Sequence, residues 1–189
     1  MRAFSDKNLI GKELRHSTFL SRIFVPSNVH LKLLLPGDIF LRAKVLCDDV
    51  ADLTEGRFRL EQLIEILWSD FINHVRKKQN PKNMYRLLME YDQGTPNIRL
   101  KKYDIKGIEE VPLYPIRKKA TDDEIEYFFY KMNRKSALRG EIMLSDISTV
   151  YPQHPFTLER VLEIILIDFM VKYQKGEAEN LIITRFLDV

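Results

Sequence analysis

Two stretches of the chain decide its fold: FRLEQLIEILWSDF at residues 58–71 and FTLERVLEIILIDF at residues 156–169. Seven of the fourteen aligned positions are identical, and four more remain apolar. A shared amphipathic pattern would align the apolar positions, but it would not repeat both glutamates and the Asp-Phe pair. The similarity therefore indicates an internal duplication. The repeated polar and aromatic residues are Glu61, Glu65, Asp70 and Phe71 in the first copy, and Glu159, Glu163, Asp168 and Phe169 in the second.

Apolar residues at helical spacing predict that each stretch lies in a long amphipathic helix. The first helix extends from Phe58 to about Lys78, and Pro81 follows it. The second extends from Phe156 to about Lys175, between Pro155 and Gly176, which are typical boundary residues.

Further similarity lies on both sides of these helices. Upstream, GDIFL at residues 37–41 resembles GEIML at residues 140–144, and both are predicted as strands. Downstream, Asn83 and Asn180 each begin a predicted strand. Each copy is therefore expected to hold a strand or hairpin, a long amphipathic helix and a following strand, which makes the fold class α+β.

Local patterns predict the remaining elements. Alternation in residues 29–33 and 39–45, on either side of a Pro-Gly turn, indicates a β-hairpin. Alternation also predicts strands at 85–91, 98–101 and 181–187. The capping box TDDE at residues 121–124 predicts a helix that ends near Lys135, and residues 5–24 are predicted helical. The expected domains are residues 1–105 and 121–189, with a connection at 106–120.

Composition excludes several classes of protein. The chain has 189 residues, a formal net charge of +3 and a single cysteine, so it holds no internal disulfide and no cysteine-based zinc site. The N-terminus lacks the apolar segment of a secretory signal, and no stretch is long and apolar enough to span a membrane. The expected location is the cytoplasm.

Catalytic and cofactor motifs are missing from the sequence. The phosphate loops GxxxxGK[ST] and GxGxxG do not occur, and the four histidines are too far apart for a zinc site. Cys47 lies beside Asp48 and Asp49, which disfavour a thiolate, so it is interpreted as a packing residue. We therefore predict no catalytic residue, metal or cofactor. For Asp70 and Asp168, an ion pair or cap and a converging two-carboxylate site both remain open.

The middle of the chain is basic, with a net charge of +7 between residues 73 and 139. Two functions follow as alternatives. The first is a non-catalytic protein-interaction module that binds another protein or a second copy of itself. The second is a nucleic-acid-binding regulator that contacts DNA or RNA through this region, with tyrosines available for stacking. Its candidate contact residues are Arg99, Lys101, Lys102, Arg117, Lys118, Lys119, Arg134 and Lys135.

Overall fold

A computed structural model of the protein describes residues 2–15, 26–78, 80–92 and 125–177. Within these ranges the chain forms six helices and a two-stranded antiparallel sheet, so the α+β prediction is confirmed. The elements in chain order are α1 (Leu9–Arg15), β1 (Asn28–Pro36), α2 (Gly37–Leu53), α3 (Leu60–Lys78), α4 (Pro81–Tyr91), β2 (Ile125–Asn133), α5 (Arg134–Val150) and α6 (Leu158–Gln174).

The two strands form a ribbon whose faces differ in chemistry. Asn28 lies opposite Asn133, and Pro36 lies opposite Ile125. Successive side chains of a strand point to opposite faces, and in β1 the inward residues Val29, Leu31, Leu33 and Leu35 are all buried. The inward face therefore packs on the helices, and the outward face remains accessible within the described residues.

A strand followed by two helices occurs twice in the described chain, as β1-α2-α3 and as β2-α5-α6, while α1 and α4 lie outside this repeated order. A nine-residue strand and a 17-residue helix are followed by a second helix of 19 residues in the first half and 17 in the second. The two long helices begin at Leu60 and Leu158, each two residues after the phenylalanine that opens the repeated stretch. The predicted positions of both long helices are therefore confirmed.

Helix α6 is the centre of the molecule. Every residue from Leu158 to Met170 is buried, including four charged ones. Helix α6 packs against β1, α2, α3, α4 and α5, so its full circumference is covered. By contrast, α3 buries one stripe, which includes Leu63, Ile64 and Phe71, and exposes Glu61.

The predicted hairpin was wrong in its second strand, because residues 39–45 lie in α2. The buried residues of this helix are Ile39, Ala43, Leu46, Cys47 and Val50, which follow helical spacing. Residues 39–45 also alternate between apolar and polar side chains, and this alternation suggested a strand. Two apolar residues of that alternation are in fact exposed on the helix, Leu41 and Val45.

The predicted strand at residues 85–91, which was to open near Asn83, is also wrong. This segment lies in α4, which begins at Pro81 with Asn80 as its N-cap. The Asn80 side chain accepts a hydrogen bond from the backbone N–H of Lys82 at 2.9 Å. A capped start with proline in the first turn favours a helix, and Met84 and Leu88 are buried one turn apart. The first copy therefore lacks the predicted following strand.

Two predictions in the second half are wrong as well. Residues 125–133 form β2 rather than a helix, and residues 140–144 lie inside α5 rather than in a strand. Gly37 is the first residue of its helix, whereas Gly140 is the seventh of α5, so the two glycines do not occupy equivalent positions. The sequence similarity between these short segments has no structural counterpart.

Several predictions lie outside the described residues: the N-terminal helix beyond Arg15, the strands at 98–101 and 181–187, the capping box at 121–124 and the connection at 106–120. Within the described ranges, no helix has the length and apolar character needed to cross a membrane.

Candidate nucleic-acid interface

The outward face of the two strands, called the ribbon face below, carries basic and aromatic side chains. Its exposed residues are His30, Lys32, Tyr127, Phe129, Lys131 and Asn133, and Tyr127 and Phe129 are 57% and 67% exposed. None of the outward positions in β1 and β2 is acidic. The face therefore combines cations with large aromatic rings, a combination suited to phosphates and bases. The full set of outward residues is Asn28, His30, Lys32, Leu34 and Pro36 in β1, and Ile125, Tyr127, Phe129, Lys131 and Asn133 in β2.

One cation–π contact organises the centre of the ribbon face. The Nζ atom of Lys32 lies 4.0 Å from the centroid of the Tyr127 ring. A lysine ammonium in this position is attracted to the ring by the quadrupole of the aromatic system. Phe129 lies directly opposite Lys32 in the strand register. The contact therefore holds a cation beside two exposed rings.

A buried carboxylate on α6 fixes the position of β1. The Glu163 Oε1 atom accepts a hydrogen bond from the backbone N–H of Leu34 at 2.8 Å. Its Oε2 atom lies 3.3 Å from Arg160 Nη1, and Arg160 also pairs with Asp92 at the end of α4. Burial raises the pKa of the Glu163 carboxyl, while the Leu34 N–H and Arg160 act in the opposite direction. This network links the ribbon to the central helix.

The N-terminal segment is held by two further buried carboxylates. Glu141 accepts hydrogen bonds from the Ser5 hydroxyl and from the backbone N–H of Leu9 at 2.9 Å. Glu159 accepts a hydrogen bond from the backbone N–H of Asp6 at 3.1 Å. Burial raises the pKa of the Glu159 carboxyl. These contacts attach the segment to α5 and α6.

His154 lies under the same N-terminal segment and is buried. Its Nδ1 accepts a hydrogen bond from the Phe156 N–H at 3.2 Å, which leaves Nε2 to donate to the Leu144 carbonyl at 3.0 Å. The ring also stacks on Phe4, with 5.7 Å between centroids. Burial lowers the pKa of His154. The neutral imidazole of His154 is therefore a packing and hydrogen-bonding group.

Two of the predicted nucleic-acid contact residues lie at one end of the ribbon. Arg134 and Lys135 open α5, directly after Asn133. The Arg134 guanidinium is 2.8 Å from Glu13 and its side chain is only 13% exposed, so it forms a structural ion pair. Lys135 is exposed. The other six candidates lie outside the described residues: Arg99, Lys101, Lys102, Arg117, Lys118 and Lys119.

The repeated glutamates occupy different environments in the two halves. Glu61 and Glu65 are exposed on α3, whereas Glu159 and Glu163 are buried on α6. The difference follows from the position of the helices, because α6 is surrounded and α3 lies at the edge. The four carboxylates therefore do not share one environment.

The repeated Asp-Phe pair is buried more deeply in the second half than in the first. Phe71 and Phe169 are both buried, Asp70 is half-buried, and Asp168 is buried. The Asp168 carboxylate forms an ion pair with Lys172, one turn later on the same helix, at 2.7 Å. Of the two interpretations left open by the sequence, the ion pair is the one present at Asp168.

The described residues contain no group of three or more His, Cys, Asp or Glu side chains that could hold a metal ion. Cys47 is buried inside α2, and burial, followed by the charge of Asp48, raises the pKa of its thiol to about 12. The thiol is therefore protonated at neutral pH and is a poor nucleophile.

No protein-family model, curated protein or solved structure matches the chain. The geometry of the ribbon face and its surroundings is therefore the basis on which a function can be inferred.

Sequence reasoning missed most of the ribbon face, because β2 was predicted as a helix. His30 and Lys32 were placed on a strand, but Tyr127, Phe129 and Lys131 were not. The missed signal is the alternation of these three residues with Phe128, Tyr130 and Met132, of which the last two are buried.

Proposed function

We propose that the protein binds duplex DNA through the ribbon face. The observation that carries this proposal is an accessible, two-stranded antiparallel ribbon whose outward side chains are basic, aromatic or uncharged. The major groove of B-DNA admits a two-stranded β-ribbon, whereas the major groove of duplex RNA is too narrow for side chains to read. The sequence predicted, as one of two alternatives, that the basic middle of the chain binds DNA or RNA. The present proposal specifies duplex DNA as the ligand and the ribbon face as the surface.

The charges of the surface support the proposal. Lys32 and Lys131 lie on the ribbon face itself, and the exposed Lys135 follows at the end of β2. Lysine side chains neutralise phosphates and also contact the acceptor atoms of guanine in the major groove. The ribbon is anchored in two ways: its inward face packs on a buried apolar core, and the backbone N–H of Leu34, at the edge of β1, donates to Glu163.

A binding experiment with matched charge variants tests the proposal. Duplex DNA, duplex RNA and single-stranded DNA are titrated with the protein at low salt, and the duplex DNA titration is repeated at increasing salt. We expect duplex DNA to bind most tightly, and its log affinity to fall linearly with log salt concentration. Substituting Lys32→Ala with Lys131→Ala should weaken binding about a hundredfold, because each lost lysine–guanine contact is worth roughly one factor of ten.

The control removes the same charge away from the ribbon. Lys77→Ala with Lys82→Ala removes two exposed lysines of α3 and α4. The two double variants are compared at about 0.15 M salt, where the Debye length is about 8 Å, and there the control should change the affinity by less than about threefold. Absence of binding to any duplex DNA at low salt would refute the proposed function. Equal losses from the two double variants would refute the ribbon as its site.

We also infer that the two β-α-α units descend from one duplicated unit. The equal order of elements, the near-equal lengths and the aligned starts at Leu60 and Leu158 support this inference. The strand register adds support. Lys32 and Phe129 lie opposite each other at the centre of the antiparallel pair, and a local twofold axis through this central pair relates β1 to β2. An experimental structure in which residues 28–78 and 125–174 superimpose as whole units would agree with it. Different helix packing in the two units would contradict it.

A protein-interaction function remains the second candidate, and one observation favours it. Leu41 and Val45 lie one turn apart on α2 and are 62% and 51% exposed. Neighbouring exposed apolar side chains are a feature of protein contact surfaces. Leu41→Lys with Val45→Lys should abolish any concentration-dependent self-association in sedimentation experiments. A wild-type protein that stays monomeric at all concentrations would count against a second copy as the partner.

A further inference from the structure

The two ends of the ribbon face differ in chemistry. At the end where β1 begins, the outward residues are polar or basic: Asn28, His30, Lys131 and Asn133. At the other end they are apolar or aromatic: Leu34, Pro36, Ile125 and Tyr127. The central pair of Lys32 and Phe129 separates them. We call these the polar end and the apolar end of the ribbon face.

Because a local twofold axis relates the two strands, the side chains at the two ends of the ribbon face can be compared position by position. Rotation about an axis through the central pair places each β1 residue on the β2 residue 97 positions later. Lys32 is then superimposed on Phe129, His30 on Tyr127, and Leu34 on Lys131. No pair preserves the residue type, and two of the three exchange a cation for an apolar or aromatic side chain. The backbone of the ribbon is therefore symmetric, and its surface chemistry is not.

Symmetry of a DNA-binding surface determines the symmetry of the sequence it reads. Proteins that present two equivalent surfaces bind two inverted half-sites, so their targets are palindromic. A ribbon whose two halves carry different side chains makes different base contacts on either side of the axis. It lacks the physical reason to prefer an inverted repeat.

Each end has side chains that favour particular base edges. Lysine donates to the O6 and N7 acceptors of guanine, and asparagine pairs with the N6 and N7 groups of adenine. Lys131 and Asn133 are exposed at the polar end. Apolar side chains contact the methyl group of thymine instead. Tyr127 is exposed and Leu34 half-buried at the apolar end, and the Lys32 ammonium lies over the Tyr127 ring.

The charges around the two ends strengthen the same difference. Lys135 is exposed just beyond the polar end, in the first turn of α5. Asp38 is exposed just beyond the apolar end, in the first turn of α2. A lysine attracts the phosphate backbone and an aspartate repels it. Phosphate contacts are therefore expected to concentrate at the polar end.

From this geometry we propose that the DNA target is asymmetric and that one chain binds it in a single orientation. The polar end contacts purine acceptor edges, and the apolar end contacts thymine methyl groups. This inference rests on the proposed function, because it names the kind of duplex that the ribbon face reads.

Selection from a random-sequence DNA duplex library tests the inference. The wild-type protein is incubated with the library at low salt, and the bound duplexes are sequenced. We expect a consensus whose two halves are not inverted copies of each other, with purine preferences on one side and thymine preferences on the other. An inverted-repeat consensus would overturn the inference, and so would binding without any sequence preference. If the library does not bind at all, the proposed function itself fails, so the two failures are distinguishable.

A variant that makes the two ends alike provides the second test. Leu34→Lys with Tyr127→His gives the apolar end the same side-chain types as the twofold-related positions of the polar end. Its consensus should shift toward an inverted repeat. The control, Leu53→Lys with Val150→His, introduces the same two residue types, lysine and histidine, at two exposed positions of α2 and α5. It should keep the wild-type consensus. An unchanged consensus in the ribbon variant would contradict the assignment of base contacts to these residues.

Discussion

Glu163 on α6 accepts a hydrogen bond from the backbone N–H of Leu34 on β1, with 2.8 Å between Oε1 and N. The same carboxylate lies 3.3 Å from Arg160. The buried Glu163 side chain thus connects helix α6 to the backbone of β1. Its counterpart in the repeated sequence, Glu65, is exposed on α3. The pair of positions offers a matched comparison between a buried and a solvated carboxylate.

We predict that Glu163→Ala lowers the free energy of unfolding by about 3 kcal/mol, because removing one partner leaves Arg160 buried with less compensation. Glu163→Gln should cost less, since its amide oxygen can still accept from Leu34. Glu65→Ala should change the free energy by less than about 0.5 kcal/mol, the usual range for a surface substitution. Urea unfolding measures all three. Equal effects of the Glu163→Ala and Glu65→Ala substitutions would contradict the structural role of Glu163.

Glu159 gives a prediction for the pH dependence of stability. Burial raises the pKa of its carboxyl above the ordinary value of 4.5, so the folded state binds the proton more tightly than the unfolded state. This contribution to stability is present below pH 4.5 and is lost as the pH rises through the folded-state pKa. Glu159→Gln keeps an acceptor for the Asp6 N–H and removes the titration.

The measurement compares urea midpoints of wild type and Glu159→Gln between pH 4 and pH 7. The variant should gain stability relative to wild type as the pH rises. Glu61→Gln, at the exposed counterpart on α3, is the control and should change the free energy of unfolding by less than about 0.5 kcal/mol, as surface substitutions usually do. A difference between wild type and Glu159→Gln that stays constant from pH 4 to pH 7 would show that burial does not raise the pKa of Glu159.

His154 should give the free energy of unfolding the opposite dependence on pH. Burial lowers its pKa below 6.5, so the unfolded state binds the proton more tightly. The stability that the neutral ring contributes is present above pH 6.5 and is lost as the pH falls through the folded-state pKa. Protonation of Nδ1 would also remove the acceptor for the Phe156 N–H. The buried imidazole therefore favours folding only in its neutral form.

His154→Gln tests this prediction. At pH 7 it should cost about 1–3 kcal/mol, because buried hydrogen-bonding groups lose their partners. The difference between wild type and variant should shrink as the pH falls from 7 to 5. His74→Gln, at an exposed position of α3, should change the free energy of unfolding by less than about 0.5 kcal/mol at pH 7. A His154→Gln difference that widens at low pH would be inconsistent with a neutral buried ring.

Parts of this fold were predictable from sequence because their signals are local and long. The helices α3 and α6 show apolar residues at helical spacing over many turns, and both predictions were confirmed. In 125–133, apolar residues fit helical and strand spacing equally well. Pairing with β1 decides the outcome there, and that partner lies almost a hundred residues away in the chain. The pattern of neighbouring residues in 125–133 does not predict pairing with such a distant strand.

The candidate site was less predictable than the fold for the same reason. Charge counts pointed to residues 73–139, and Lys131 lies in that range, but His30 and Lys32 do not. Only the strand register brings these residues onto one face. The buried Glu163 was likewise indistinguishable from the exposed Glu65 in sequence, because burial depends on which helix becomes the centre of the molecule.

Gly140 provides a final prediction, on the packing of three helices. A Cβ atom added at this residue of α5 would lie 2.5 Å from Leu158 Cδ1 and 2.9 Å from Trp68 Cη2. Leu158 opens α6, and Trp68 lies on α3. The missing side chain therefore lets α5 approach both long helices, in a core where the Trp68 ring is itself buried.

Two effects of opposite sign compete when Gly140 is replaced by alanine. Alanine is favoured over glycine inside a helix by about 0.5–1 kcal/mol. Overpacking of a tight core costs about 1–3 kcal/mol, and contacts under 3 Å with a buried ring place this site at the upper part of that range. We expect Gly140→Ala to lower the free energy of unfolding by about 1–2 kcal/mol in urea. Gly56→Ala, whose added Cβ has no neighbour closer than 3.4 Å, should be nearly neutral. A Gly140→Ala protein as stable as wild type would mean that α5 does not pack this closely against α3 and α6.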